Sequence, residues 1–354
     1  MFLRVIDTGS GTATITVVTG NTEDDKHYMI HDVGHWNDDT RILNEVRTYL
    51  HQTNQVFDEI DLMIVGHSDS DHLGAADTIL SNHEVNEVVR TGWERPSTNQ
   101  SYKHFRDALA VAVTNGTTDV SLASTTLQHG THQWTLGSAT VTFLSGFSEP
   151  PVSWDVGVPR NTNNATWKSK ARNSISLVVR LDFSTRSIMF TSDAVGRKDG
   201  ADWNEVIATE KFLLDTHFPA VLKADILFAP HHGADNGSSL PFIRVVDPEW
   251  VIFSAGSGHG HPKLDTYRRY RHIGVQRENM FRTDRGDMFD LSSLASSEKN
   301  KRRLEWWADG DSSCRDGHGD DGISILIRES GEVEGGCAYV RFISHAQVPP
   351  FGAG

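Results

Sequence analysis

Asp61-Leu62-Met63-Ile64-Val65-Gly66-His67-Ser68-Asp69-Ser70-Asp71-His72-Leu73-Gly74 is the stretch on which the reading of the fold turns. Asp61–Val65 is a short apolar run, the pattern of a buried strand. Immediately after it, His67, Asp69, Asp71 and His72 place four imidazole or carboxylate groups within six residues. Those are the groups that hold a hydrolytic divalent metal. A loop at a strand end can turn them inward together, whereas a regular helix would spread them around its circumference. Ligand sites in α/β sheets form at the carboxyl ends of strands, and this loop lies at one.

Three more strand ends deliver the same chemistry. Ser187–Thr191 runs into Ser192-Asp193, and Asp225–Ala229 runs through Pro230 into His231-His232-Gly233. Trp250–Ser254 precedes His259-Gly260-His261-Pro262. One strand-end aspartate is usually a turn residue, but four strand ends carrying His or Asp imply a shared metal site. Adjacent residues leaving a strand point in different directions, so either His231 or His232 is the ligand.

Other segments alternate in the same way. Phe2–Ile6, Thr12–Val18 and His27–Ile30 read as strands, followed by a helix from a Thr40 cap to about Gln52 and another over Gly74–Leu80. Thr91–Ser101 and Pro150–Lys170, bearing Trp93, Trp154 and Trp167, read as long loops. Strands are expected at Ser174–Asp182 and Ser187–Thr191, and helices at Trp203–Thr216 and Pro262–Ile273. Phe281–Asp284 with Asp287–Leu291 reads as a hairpin, and Ile323–Arg328 and Ala338–Ile343 as later strands. Two such halves predict an α/β architecture of two sheets with helices outside. Residues 1–291 form the expected hydrolase domain, and 292–354 an extension of helix plus hairpin packed on it.

Bulk properties narrow the function. With 37% hydrophobic and 23% charged residues the chain has the composition of a globular protein rather than a disordered one. Its net charge of −14 excludes a chain-wide cationic face for nucleic acid or anionic lipid. Cys314 and Cys337 are the only two cysteines, too few for a disulfide scaffold or a cysteine-rich zinc module. No basic-then-apolar leader and no apolar run of about 18 residues is present, so the expectation is a cytoplasmic protein without a membrane span.

The ordered landmarks resemble the metallo-β-lactamase superfamily over roughly residues 1–291. They are Asp7-Thr8-Gly9-Ser10-Gly11, His31-Asp32-Val33-Gly34, His67 to Gly74, Asn173-Ser174, Thr191-Ser192-Asp193, Pro230 to Gly233, His259 to Pro262, and Arg282 to Gly286. The subgroup they are most similar to is the domain attached to bacterial DNA-uptake channel proteins, with related phosphodiesterases. The resemblance implies a four-layer αββα sandwich with its metal site at one edge. Asp71 and His72 would bind one ion and His67 the other. Asp193 would bridge them, one of His231 and His232 would complete the set, and Asp32 and Asn173 would brace the ligands. Asp69 stands where most members have a second histidine, and it is included here as a ligand. Between residues 73 and 173 the remaining ligand is missing; His83, His104, His129 and His132 are the histidines available.

The expected cofactor is therefore one or two divalent ions, zinc or manganese, with the carboxylates also admitting magnesium. The expected reaction is hydrolysis by metal-activated water, with Asp71, Asp193 and His261 doing the catalytic work and His261 either protonating the leaving oxygen or stabilising the charged transition state. The substrate suggested is a phosphodiester, single-stranded nucleic acid or strand ends foremost. The run Tyr267-Arg268-Arg269-Tyr270-Arg271-His272 offers Arg268 and Arg271 as phosphate contacts, although buried Tyr alternating with exposed Arg on a plain helix fits the same letters. The alternatives are a lactam, lactone or thioester hydrolase on the same fold, and a non-catalytic binding module.

Overall fold

The computed structural model describes residues 1–9, 11–20, 22, 25–53, 56–255, 260–283 and 322–336. In chain order the strands are β1 (Phe2–Ile6), β2 (Ala13–Thr19), β3 (Lys26–Val33), the two-residue β4 (Gln52–Thr53) and β5 (Val56–Phe57), β6 (Ile60–Val65), β7 (Val85–Arg90) and β8 (Thr118–Ser121). There follow β9 (Gln133–Leu136), β10 (Ala139–Ser145), β11 (Val178–Phe183), β12 (Arg186–Phe190), β13 (Ile226–Phe228), β14 (Trp250–Phe253), β15 (Met280–Arg282), β16 (Ile323–Ile327) and β17 (Val333–Gly336). The helices are α1 (Asp39–Tyr49), α2 (Ser70–Leu73), α3 (Ala76–Asn82), α4 (Gln100–Thr114), α5 (Ala165–Ser174), α6 (Ala208–Thr216), α7 (Pro219–Leu222), α8 (Leu240–Val246) and α9 (Leu264–His272).

Two large sheets result, ordered β17-β16-β1-β2-β3-β6-β7-β8 and β15-β14-β13-β12-β11-β10-β9. Each has an antiparallel half and a parallel half. β3, β6, β7 and β8 run parallel in the first, and β12, β13, β14 and β15 in the second. The inner faces meet in one apolar core, where Leu3, Met29, Ile64 and Val89 from the first sheet pack with Phe143, Leu181, Phe190 and Phe228 from the second. Burying each such side chain contributes roughly 1.5–3 kcal/mol. The outer face of the first sheet is covered by α1, α3 and α4 through Ile42, Val46, Ile79 and Phe105. That of the second is covered by α6, α8 and α9 through Leu213, Phe242, Ile243 and Tyr270. The layers are helix, sheet, sheet, helix, as expected.

Local differences have physical causes. α1 starts at Asp39, and its N-cap is Asp38, so Thr40 lies inside the first turn. The stretch read as a loop through Lys170 closes in α5, because the Asn164 side chain accepts from Trp167 N and caps it. Asn173 is therefore helical, and the next strand begins at Val178. Asn99 caps α4 in the same way at the end of the other tryptophan loop. The predicted helix over 203–216 is helical only from Ala208. β15 pairs in parallel with β14; the expected hairpin arm at 287–291 and strand at 338–343 lie outside the described residues. β16 and β17 form a hairpin at the edge of the first sheet, Phe2 standing opposite Leu326.

Candidate metal centre

The site forms where the parallel strands of both sheets end side by side. Asp32 closes β3, His67 follows β6, Asp193 follows β12 and His232 follows β13. The two sheet ends approach so closely at Gly66 that a side-chain carbon there would lie 2.6 Å from Ser192 Cβ. Gly66 O also accepts from Leu177 N at 2.8 Å, tying the sheets together beside the site. Four of the eight non-glycine residues with left-handed backbone among the described residues, Asp32, Ser192, His231 and His232, belong to this region. Each costs about 1–3 kcal/mol and persists only where surrounding contacts impose it, as they do at functional sites.

Residues 70–73 depart from the expected loop by forming the single-turn α2, with His72 N and Leu73 N donating to Asp69 O. Asp71 and His72 are adjacent on that turn, while His67 precedes it in extended chain. The turn is held by the Gly-rich β1–β2 connection, where Thr12 N donates to Asp71 O at 3.1 Å.

Five side chains converge. His72 Nε2 lies 3.1 Å from His232 Nε2 and 3.1 Å from Asp193 Oδ1. His232 Nε2 lies 3.2 Å from Asp193 Oδ1 and 3.7 Å from Asp71 Oδ2. His67 Nε2 approaches Asp193 Oδ2 at 3.6 Å. Two overlapping sets have the spacing of a metal site, His67, His72, Asp193 and Asp71, His72, His232. The His67 and His72 side chains are fully buried and Asp193 and His232 are 5% exposed, whereas Asp71, 25% exposed, faces the mouth.

The far side of each ring decides its tautomer. His72 Nδ1 is 2.7 Å from Asp32 Oδ2, and His232 Nδ1 is 2.7 Å from Ser254 O. Both partners only accept, so each Nδ1 carries the hydrogen and each Nε2 turns a lone pair inward. Two lone pairs and a carboxylate oxygen within 3.2 Å need a cation between them. His67 is buried with no hydrogen bond at either nitrogen, and Asp193 Oδ1 makes none. This donor set fits a divalent metal held by Asp71, His72, His232 and Asp193. Without one, a proton serves. Burial disfavours the His72 imidazolium, but the Asp193 and Asp32 carboxylates raise its pKa well above the ordinary value. Asp193 is held well below the usual carboxylate range, burial being outweighed by His231, His72 and His232.

Asp32 braces this arrangement, accepting from Gly66 N at 2.6 Å and Ser192 Oγ at 2.8 Å as well as His72. His231 meets the other oxygen of Asp193, its Nε2 lying 3.3 Å from Oδ2. Its Nδ1 faces Asn236 Oδ1 at 2.6 Å, and its Nε2 lies 3.2 Å from Asn173 Nδ2, which also donates to Asp193 Oδ2 at 3.1 Å. Of the histidine pair, His232 belongs to a set with metal-site spacing, and His231 contacts Asp193 without joining either set. His261 stands at the rim, its ring centroid 5.8 Å from that of His231 and 6.4 Å from that of His232. Burial, with His231 and His232 nearby, pushes it down to about 2. It is thus a neutral imidazole at neutral pH, suited to a hydrogen bond rather than to delivering a proton. His259 lies outside the described residues.

Asp69 does not join either set. Arg95 Nη1 and Arg172 Nε both donate to its Oδ1, Arg172 Nη2 reaches Oδ2 at 3.4 Å, and Arg95 Nη1 also holds Ser68 O at 3.0 Å. Arg95 comes from the Thr91–Ser101 segment and Arg172 from α5, two residues past the other tryptophan-bearing segment; the two segments pack on each other through Trp93 and Trp167. Neither arginine was singled out by sequence reasoning; the only signal was that each lies in or next to a long polar segment that bears tryptophan.

The histidines between 73 and 173 serve elsewhere. His83 packs against Phe57, His104 is exposed near Asp77, His129 stacks among Phe143, Phe147 and Phe212, and His132 sits on Trp134. Arg268 and Arg271 line a hollow of about 450 Å³ with Tyr267, Gln276, Arg277 and Glu278, which no cluster residue lines. Arg269, from the same run, is fully buried and braces 235–238 through Ser238 O, Gly237 O and Asp235. Tyr267 and Tyr270 are buried as the plain-helix reading expects, but Arg269 is buried with them, so exposed Arg and buried Tyr do not strictly alternate.

No protein-family model and no curated protein matches the chain. Among solved structures it is similar to Zn(2+)-bound PqqB from Methylobacterium extorquens (9% identity, 80% of this chain and 98% of that one, TM-score 0.43). It is also similar to a metallo-β-lactamase with a HARLDQ motif from Cronobacter sakazakii (12%, 76% and 87%, TM-score 0.36). A third is CmlA, a diiron β-hydroxylase from Streptomyces venezuelae (14%, 79% of this chain but 52% of that one, TM-score 0.40). Likenesses this distant carry no argument about activity. The two mixed sheets packed face to face, with helices outside them and the His/Asp loops at one edge, are the αββα sandwich that the sequence resemblance implied.

Proposed function

We propose that this chain is a metal-dependent hydrolase acting on phosphodiesters of small footprint. The observation that carries the metal-dependent part is the convergence of His72 Nε2, His232 Nε2 and Asp193 Oδ1 within 3.2 Å, with Asp71 at the mouth. Two imidazoles and two carboxylates suit zinc or manganese. When bound, such an ion lowers the pKa of a coordinated water and polarises a phosphoryl oxygen.

The protein groups supply the rest. Asp71 stays ionised, because hydrogen bonding to His232 and the charge of His72 outweigh its burial, and it orients water at the mouth. Asp32 and Ser254 O fix the imidazoles so that no reorganisation accompanies reaction. Neutral His261 offers a hydrogen bond at the rim. The phosphodiester assignment is supported by Arg95 and Arg172, two guanidiniums sharing the single carboxylate of Asp69. Their excess positive charge and forked donors match a phosphate. The net charge of −14 favours small diesters, single strands or ends over long duplex.

The test is hydrolysis of bis(p-nitrophenyl) phosphate and of linear single-stranded and duplex DNA by zinc- or manganese-loaded protein, beside Asp71→Asn. Phosphodiester cleavage that disappears in Asp71→Asn is expected. Cleavage of a chromogenic cephalosporin or a thioester without any of the diesters would overturn the substrate assignment and leave a metal hydrolase of another bond.

A further inference from the structure

We infer that this centre takes one divalent ion and that the Arg95–Arg172 pair supplies fixed positive charge on the His67 side, where a second ion would otherwise sit. The inference rests on the metal-centre reading above. His67, His72 and Asp193 have metal-site spacing, but His72 also belongs to the Asp71–His232 set, so two ions would leave His67 and Asp193 in need of a further ligand; Asp69 offers its Oδ2 3.9 Å from His67 Nε2. That carboxylate is already committed. Arg95 and Arg172 approach it from two different elements, with side chains only 17% and 13% exposed. Seating a divalent ion there would strip the guanidiniums of their shared counter-charge and place three cationic groups together, poorly screened by solvent. No histidine from residues 73–173 reaches the site to compensate. Among the described residues, His83, His104, His129 and His132 are all engaged elsewhere.

The opposite side has what the His67 side lacks. Asp71, His72 and His232 make a set with metal-site spacing, its two rings oriented by Asp32 and Ser254 O, and Asp193 Oδ1 lies 3.1 Å from His72 Nε2 and 3.2 Å from His232 Nε2. Asp193 then binds through Oδ1, while its Oδ2 accepts from Asn173 Nδ2. That Oδ2 oxygen also lies 3.3 Å from His231 Nε2 and 3.6 Å from His67 Nε2.

The experiment is metal stoichiometry of the full chain, stripped with chelator, loaded with excess zinc, gel-filtered and measured by plasma mass spectrometry. One zinc per chain is expected. A cobalt-loaded sample should give the electron paramagnetic resonance signal of isolated ions without spin coupling. Asp69→Asn should still hold one ion, and Arg95→Met with Arg172→Met, which frees Asp69, should approach two. If the double variant does not fold, the wild-type and Asp69→Asn stoichiometries decide alone. Two tightly held ions in the wild-type chain, or loss of the ion in Asp69→Asn, would overturn the inference and leave the metal centre standing. No bound ion at all would overturn the centre itself.

Discussion

Asp32 Oδ2 lies 2.7 Å from His72 Nδ1, and this contact sets the direction in which His72 presents its lone pair. Asp32 sits in left-handed backbone at the end of β3 and is wholly buried. It is held well below the ordinary carboxylate range, to about 2, because the charges of His72 and His31 outweigh its burial. Replacing it with Asn removes the charge and the enforced tautomer without emptying the space. Asp32→Asn is expected to weaken zinc binding by about 10- to 100-fold, measured by competition with a chelating dye. An unchanged affinity would mean that Asp32 serves folding alone.

The two adjacent histidines separate by role. His232→Ala removes a converging nitrogen and is expected to abolish stoichiometric metal binding. His231→Ala removes a partner of Asn173, Asn236 and Asp193 Oδ2 but no member of either set with metal-site spacing, and should keep the ion. Equilibrium dialysis of both variants checks this, and the reverse pattern would show that the pair has been assigned the wrong way round.

Much of this was legible in the sequence, for a definite reason. β6 is an apolar parallel strand that stops at Gly66 and is followed at once by ligands, so its run into His67, Asp71 and His72 is visible without tertiary information. Asp193 after β12 follows the same rule. The choice between His231 and His232 was not readable, because both lie in left-handed backbone and the usual alternation of a strand does not apply. The fate of Asp69 was hidden because its partners lie 26 and 103 residues away in the chain. α5 was obscured by Asn161 to Asn164, polar residues that read as loop but end in the cap of a helix.

Glu210 provides a pH test away from the metal. Burial raises it from 4.5 to about 7, against the Ser238 and Ser239 backbone N–H groups that favour its charged form. Between those values the folded chain holds a proton that the unfolded chain has released. Stability contributed at this site is therefore complete below about 4.5, falls as pH rises to 7, and levels off above it. Denaturant melts from pH 4.5 to 8 should show the wild-type chain losing stability relative to Glu210→Gln across that window. A pH-independent difference would contradict the assignment.

Trp167 anchors the helix that carries Arg172 and Asn173. It is 3% exposed, packed with Val156, Ala171 and Trp93, and carries the Arg160 guanidinium over its ring at 5.1 Å. Trp167→Ala should cost about 3–5 kcal/mol, read as a lower denaturant midpoint. Because Asp69 loses Arg172 when that helix shifts, binding of a phosphodiester analogue should weaken more than binding of zinc.

The most direct test of the metal centre is diffraction from crystals of zinc-loaded protein, recorded on both sides of the zinc absorption edge. One strong anomalous peak is expected within ligand distance of His72 Nε2, His232 Nε2, Asp193 Oδ1 and an Asp71 oxygen. Strong peaks confined to surface carboxylates, with those four groups left in contact only with one another, would contradict it.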